Sequence, residues 1–152
     1  MALGYSNILV AVDGSTSAEY AFKKAIQIAK RNNAKLTLIH VIDTRSFVAI
    51  DAYNGTMAER AEKYAKDILS NYKKEAASQG LTELDTIIEY GSPKVVIPKQ
   101  AAQKIKADLI ICGATGLNAV ERLLIGSVSE QITRSASCDV LVVRTEEEVI
   151  KE

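Results

Sequence analysis

The chain has 152 residues, about one ordinary domain, with 47% apolar and 25% charged side chains and 19 basic against 19 acidic residues. A net charge of zero argues against a nucleic-acid partner, which needs clustered Lys and Arg, and the mixed signs argue against an electrostatic membrane anchor. No apolar run approaches the roughly 20 residues that span a bilayer, and the opening MALGYS lacks the basic region and apolar stretch of a secretory leader, so a cytoplasmic protein with no membrane partner is expected.

Five apolar, β-branched runs recur in order, at 7–12, 35–41, 84–90, 107–112 and 139–144. Several are continuously apolar rather than alternating, which suits strands covered on both faces of a parallel sheet. Helical patterns fill the gaps. Ala18, Ala21, Phe22, Ala25, Ile28 and Ala29 share one face, with Asp13, Ser15 and Ser17 competing to cap that helix. After a long connection at 42–55, which reads either as an ordered loop over a site or as a mobile one, Ala58, Ala61, Ala65, Ile68, Leu69, Tyr72 and Ala76 line a second helix ending near Gly80. Ser92 and Pro93 read as a hydroxyl cap and a first-turn proline, while Pro98 removes a backbone donor and predicts a kink or a displaced start. The alternation implies one domain over 1–146 with a charged tail at 147–152, folded as a doubly wound α/β sheet with right-handed crossovers. Cys112 and Cys138 lack metal-site spacing and read as small core residues.

The stretch GATGLNAVERLLIGS at 113–127 follows the fourth apolar run. In an open parallel sheet, ligands bind beyond the carboxyl ends of the strands, where strand order reverses. Gly113 sits at such an end, where a glycine permits positive φ or close approach of another group. Gly126 precedes Ser127, Val128, Ser129 and Glu130, which read as a capping box opening a helix. Free amides at a helix N-terminus hold anions without a lysine, so the amides of Ser127, Val128 and Ser129, with the two serine hydroxyls, are candidate phosphate ligands. Strand-end glycines and Ser-x-x-Glu are also ordinary structural punctuation. The stretch is neither a Walker A loop nor a dinucleotide fingerprint. In a 3-2-1-4-5 order, Asp13 at the end of the first strand faces the same crevice, free to accept from a ribose or an adenine amine, or to cap the first helix.

Together these residues resemble the universal stress protein family of the adenine-nucleotide-binding type. Its pattern G-x2-G-x9-G-[ST] is met by Gly113, Gly116, Gly126 and Ser127. The flanking blocks ILVAVDGS, LIHV, GSP, ADLIICGATG and GSVSEQITRSASCDVLVVR extend the likeness over nearly the whole chain. The resemblance implies a five-stranded parallel sheet and a homodimer paired along the last strand, 139–144. It also implies ATP as cofactor, with Mg²⁺ left open. Ala11, Asp13 and Val41 would line the adenosine. Gly113, Ala114, Thr115, Gly116, Leu117 and Asn118 would run along the ribose and phosphates, and Gly126, Ser127, Val128 and Ser129 would cradle the phosphates. Where many nucleotide-binding relatives carry a basic residue after the second glycine, this sequence has Leu117 and Asn118. Arg122 is a candidate replacement cation or a solvated surface residue.

Phosphoryl transfer needs metal ligands, a positioned nucleophile and cations on the leaving group. The sequence offers no compact acidic cluster beyond Asp13 and Asp43, and its one histidine, His40, lies inside a strand and reads as structural. A binding or switch protein is therefore expected, with any ATP hydrolysis slow. A family member that dimerises without binding nucleotide and a weak ATPase or kinase-like enzyme are the alternatives. A two-component receiver domain is disfavoured because it needs a second acidic residue after the first strand and an aspartate ending the third.

Overall fold

The computed structural model describes residues 4–43, 56–115 and 125–145. Five strands form one sheet: β1 (Asn7–Ala11), β2 (Lys35–Ile42), β3 (Leu84–Tyr90), β4 (Leu109–Gly113) and β5 (Asp139–Val143). Every pairing is parallel and the order is 3-2-1-4-5, so the expected doubly wound α/β sheet is present. β1 lies between β2 and β4, with Leu9 opposite both Thr37 and Ile110.

The continuous apolar runs are explained by two cores, one on each face. Ile8, Val10, Leu36, Leu38, Leu109 and Ile111 point to α1 (Thr16–Asn32) and α2 (Thr56–Ser78), where they meet Phe22, Ala25, Leu69 and Tyr72. Leu9, Ile39, Ile110 and Cys112 point the other way, to a helical segment α3 at 93–104 and to α4 (Ser127–Ser135), where they meet Val96, Ile97 and Ile132. Period-two alternation thus sends successive residues into opposite cores, and neither face of a central strand needs a polar set.

α1 is capped by Ser15, whose hydroxyl accepts from the Ala18 amide at 3.1 Å. α3 departs from the expected cap. Ser92 occupies the cap position and Pro93 follows, but the serine side chain makes no capping bond. Pro98 leaves its mark one turn on. Residues Val96–Ala101 are wound as a π-helix, with the Ala102 amide donating to the carbonyl of Ile97. A proline inside an α-helix lacks one donor and its ring meets the carbonyl four residues back. The wider turn relieves that contact while keeping Pro98 buried. Both cysteines are unpaired. Cys112 is buried and Cys138 half-buried. Of the segments singled out from sequence, 44–55 and the tail from 146 onward lie outside the described residues.

Candidate functional site

The candidate site begins where β1 ends. Ala11 is the last residue of β1 and is half-buried. Beyond it the Val12 amide still donates to Ile39 at 3.0 Å, which extends the β1–β2 contact by one residue. Asp13 then turns the chain. Its Oδ1 accepts from the Ser15 amide at 2.9 Å, and Gly14 takes a φ of +85° that side chains other than glycine's rarely adopt. Ser15 caps the helix, so the Asp13 carboxylate braces the turn without being the cap.

Two rings hold this turn from behind. His40 on β2 is buried and its Nδ1 lies 2.9 Å from the Val12 carbonyl oxygen, which makes that nitrogen the donor. Tyr64 on α2 donates its hydroxyl to the Asp13 carbonyl at 2.8 Å. The two rings meet edge to face, with centroids 5.9 Å apart. Partial burial, and then the negative charge of Asp13, push the Tyr64 phenol above its ordinary pKa. His40 thus holds the backbone at the end of β1.

The second wall forms where β4 ends, and here the structure corrects two expectations. Gly113 has no positive φ. Its missing Cβ makes room for α1, because a Cβ there would lie 2.7 Å from the Ser17 carbonyl carbon and 2.8 Å from its oxygen. The missing Cβ thus serves the close packing of β4 against α1. Ala114 is buried. Its amide donates to Val143 at 2.9 Å, and its carbonyl accepts from the Gly126 amide at 2.7 Å. The Thr115 amide reaches the Ser17 hydroxyl at 3.2 Å, which ties this wall to the start of α1.

The second correction concerns the capping box. Gly126, not Ser127, is the cap of α4, and no side chain caps it. Ser127 is the first helical residue and is exposed. Glu130 lies one position too far along to reach back, and its carboxylate pairs with Arg134 at 3.1 Å. The buried Ser129 hydroxyl is shared between the carbonyls of Ala114 and Gly126, at 3.0 Å each. It is therefore committed to holding the helix start on β4 and is not a free donor. The amides of Ser127, Val128 and Ser129 remain as first-turn donors without intrahelical acceptors. The Glu130 amide is the first to bond, to Gly126 at 2.9 Å.

Ala11, Val41 and Val128 converge on the same apolar core, the one that also holds Ile39 and Cys112. Ala11 and Val41, expected along the adenosine, and Val128, expected at the phosphates, thus share the sheet face that α4 covers. Gly116, Leu117 and Asn118, together with Arg122, lie outside the described residues. A cavity of about 500 Å³ opens elsewhere, at the amino ends of the strands, lined by Asn7, Lys35, Thr37, Lys73 and Asp85 among others. Lys35 and Asp85 there pair with each other at 2.9 Å, so its lining is partly self-neutralised. Among the described residues no group of three or more His, Cys, Asp or Glu is placed to hold a metal, and no helix is long and apolar enough to cross a membrane.

Residues 4–144 match the model of the universal stress protein family. The chain belongs to that family. A Staphylococcus haemolyticus protein bearing the universal stress protein name is 51% identical over 145 residues, 95% of this chain and 88% of its own. Among solved structures, the universal stress protein UspA from Lactobacillus plantarum superposes with a TM-score of 0.84 at 36% identity, covering 93% of this chain and 99% of its own. A universal stress protein in complex with cAMP superposes at 0.73 with 29% identity, covering 94% and 99%. The strand order and the covering helices are therefore those of universal stress proteins.

Sequence reasoning missed Tyr64 at this site, and it took Ser17 only for a competitor to cap α1, not for the partner of the Thr115 amide. Neither belongs to the glycine pattern. Tyr64 lies between Ala61 and Ala65 on a helix whose periodicity reports only the face toward the core.

Proposed function

We propose that this universal stress protein binds an adenine nucleotide, ATP first, in the crevice where strand order reverses between β1 and β4. Ala11 and Val41 supply the apolar floor for adenosine, and the Asp13 carboxylate accepts from the ribose or the adenine amine. The first-turn amides of α4 hold the phosphates. The observation that carries the reading is the N-terminus of α4. A side-chain-free cap at Gly126 leaves three consecutive amides with no intrahelical acceptor, beside the carboxyl end of β4. Support comes also from the relative of similar fold solved with cAMP, itself an adenine nucleotide.

The structure offers a substitution that removes one amide without removing the helix. Ser127 is the first helical residue, where proline is well tolerated, and Gly126 at φ −63° and ψ 157° has the extended backbone that a following proline requires. Ser127→Pro is expected to keep the helical circular dichroism and to weaken ATP about tenfold or more, since a hydrogen bond to a charged group contributes about 1.5–3 kcal/mol. Adenosine, which has no phosphate, is expected to bind both proteins alike. Ser127→Ala removes only the hydroxyl and serves as the control. Calorimetric titration reads all three. Equal ATP affinity of wild type and Ser127→Pro, or no ATP binding by wild type, overturns the proposal.

The module is read as a binding or switch protein of the cytoplasm, with ATP hydrolysis incidental. Sustained phosphate release from ATP and Mg²⁺ well above background would replace that with a catalytic reading. Pairing of two copies along β5 is part of the same proposal. β5 is an edge strand whose Val140, Leu141 and Val142 are half-buried, and an unpaired apolar edge invites a partner strand. Sedimentation equilibrium that finds monomer alone at tens of micromolar would remove that part.

A further inference from the structure

We infer that Tyr64 is a positioning residue for Asp13, acting with His40 as a clamp on the backbone of the β1–α1 turn. The inference rests on the nucleotide reading above and adds to it a residue outside the glycine pattern. Three observations carry it. Consecutive carbonyls, those of Val12 and Asp13, are each hooked by a ring from a different element: His40 of β2 at 2.9 Å and Tyr64 of α2 at 2.8 Å. The rings brace each other edge to face at 5.9 Å. The Tyr64 hydroxyl closes over Gly14, where an added Cβ would collide with it and lie 3.3 Å from its Cζ.

The geometry fixes what the clamp does. Holding the carbonyl oxygens on both sides of the Asp13 residue restricts the rotation of its backbone. The side chain is restricted in turn, because Oδ1 is bound to the Ser15 amide at the start of α1. The carboxylate is thus held between a fixed backbone and a capped helix, with Oδ2 left for a ligand hydroxyl or amine. Tyr64 is 41% exposed. A phenol that served packing alone would gain little from so exposed a place.

Tyr64→Phe deletes the hydroxyl and keeps the ring, so the fold is not at stake. Calorimetry with adenosine and with ATP is run on wild type, Tyr64→Phe, Asp13→Asn and the double variant, alongside hydrogen exchange at the Gly14 and Ser15 amides. Loss of one neutral hydrogen bond corresponds to about fivefold in an equilibrium constant. Tyr64→Phe is therefore expected to weaken adenosine and ATP alike by up to about fivefold and to speed exchange at both amides. In the Asp13→Asn background, the same substitution is expected to change affinity by less than about twofold, because a positioning residue has no effect once the group it positions is altered. If wild type binds and Tyr64→Phe binds equally well, or loses the same factor in both backgrounds, the positioning role is overturned while the nucleotide reading stands. If wild type binds neither ligand, the nucleotide reading fails, and the role of Tyr64 toward Asp13 fails with it.

Discussion

Gly113 and Gly126 look alike in the sequence, each following an apolar run at the wall of the proposed site. Their physical reasons differ. At Gly113 an added Cβ meets backbone, 2.7 Å from the carbonyl carbon of Ser17, and backbone in the middle of packed elements does not give easily. At Gly126 the nearest atom is the Ala114 carbonyl oxygen at 3.2 Å, a contact relieved by a few tenths of an ångström. Gly113→Ala is therefore expected to cost about 1–3 kcal/mol by overpacking, and Gly126→Ala distinctly less. Urea denaturation of the two variants checks this, and a larger loss at Gly126 would refute the assignment. The glycine spacing was legible as a pattern, but the purpose of its first member was not. The atoms that demand it belong to Ser17, 96 positions earlier in the chain. The same holds for Tyr64, whose partner Asp13 is 51 residues away.

α4 has nine residues, too few to be stable alone, so its position depends on what it packs against. Ile132 is fully buried in the second core with Ile110 and Cys112, and the Ser129 hydroxyl fastens the first turn to Ala114. The helix was legible from its polar start alone, and its cap was misplaced by one residue. Ser-x-x-Glu describes a local exchange of bonds. Here a bond from Ser129 to a carbonyl 15 residues back outcompetes it, and Glu130 turns to Arg134 instead. The strands were read to within about two residues because burial on both faces imposes an unbroken apolar run. The π-helical turn at Val96–Ala101 was foreseen only as a disturbance at Pro98, since a proline dictates a missing donor and not how the chain will absorb it. Ile132→Ala should destabilise the protein by about 2–5 kcal/mol, as for other large-to-small core changes. Because the same burial holds the first turn in place, exchange of the Glu130 amide, which bonds to the Gly126 carbonyl at 2.9 Å, should accelerate in that variant. Unchanged exchange there would mean that the first turn is held by Ser129 alone.

A two-faced sheet puts ionisable groups into two dry layers, and that gives the whole molecule a pH dependence with a definite sign. Burial alone pushes the Cys112 thiol up to about 12 from an ordinary value of 9.0. Tyr72, packed edge to face on Phe22 at 4.7 Å, is raised from 10.0 by burial first and then by the charge of Asp13. Both groups are neutral when protonated, so the folded state keeps its protons where the unfolded chain has lost them. Between about pH 9 and 12 the unfolded state therefore binds fewer protons, and stability falls as pH rises. The slope is about 1.4 kcal/mol per pH unit for each fully shifted group, with Cys112 contributing from about pH 9 and Tyr72 from about pH 10. Below pH 8 both groups are protonated in either state and contribute no slope. Guanidinium unfolding at pH 8, 9.5 and 10.5 measures the fall, and Cys112→Val, which keeps an apolar side chain of similar size in the second core, should flatten its first part. An unaltered pH profile in Cys112→Val would mean that the thiol ionises as readily inside the protein as outside. The layer formed by α3, α4 and the sheet would then be wet, and with it the apolar floor assigned to Ala11 and Val41.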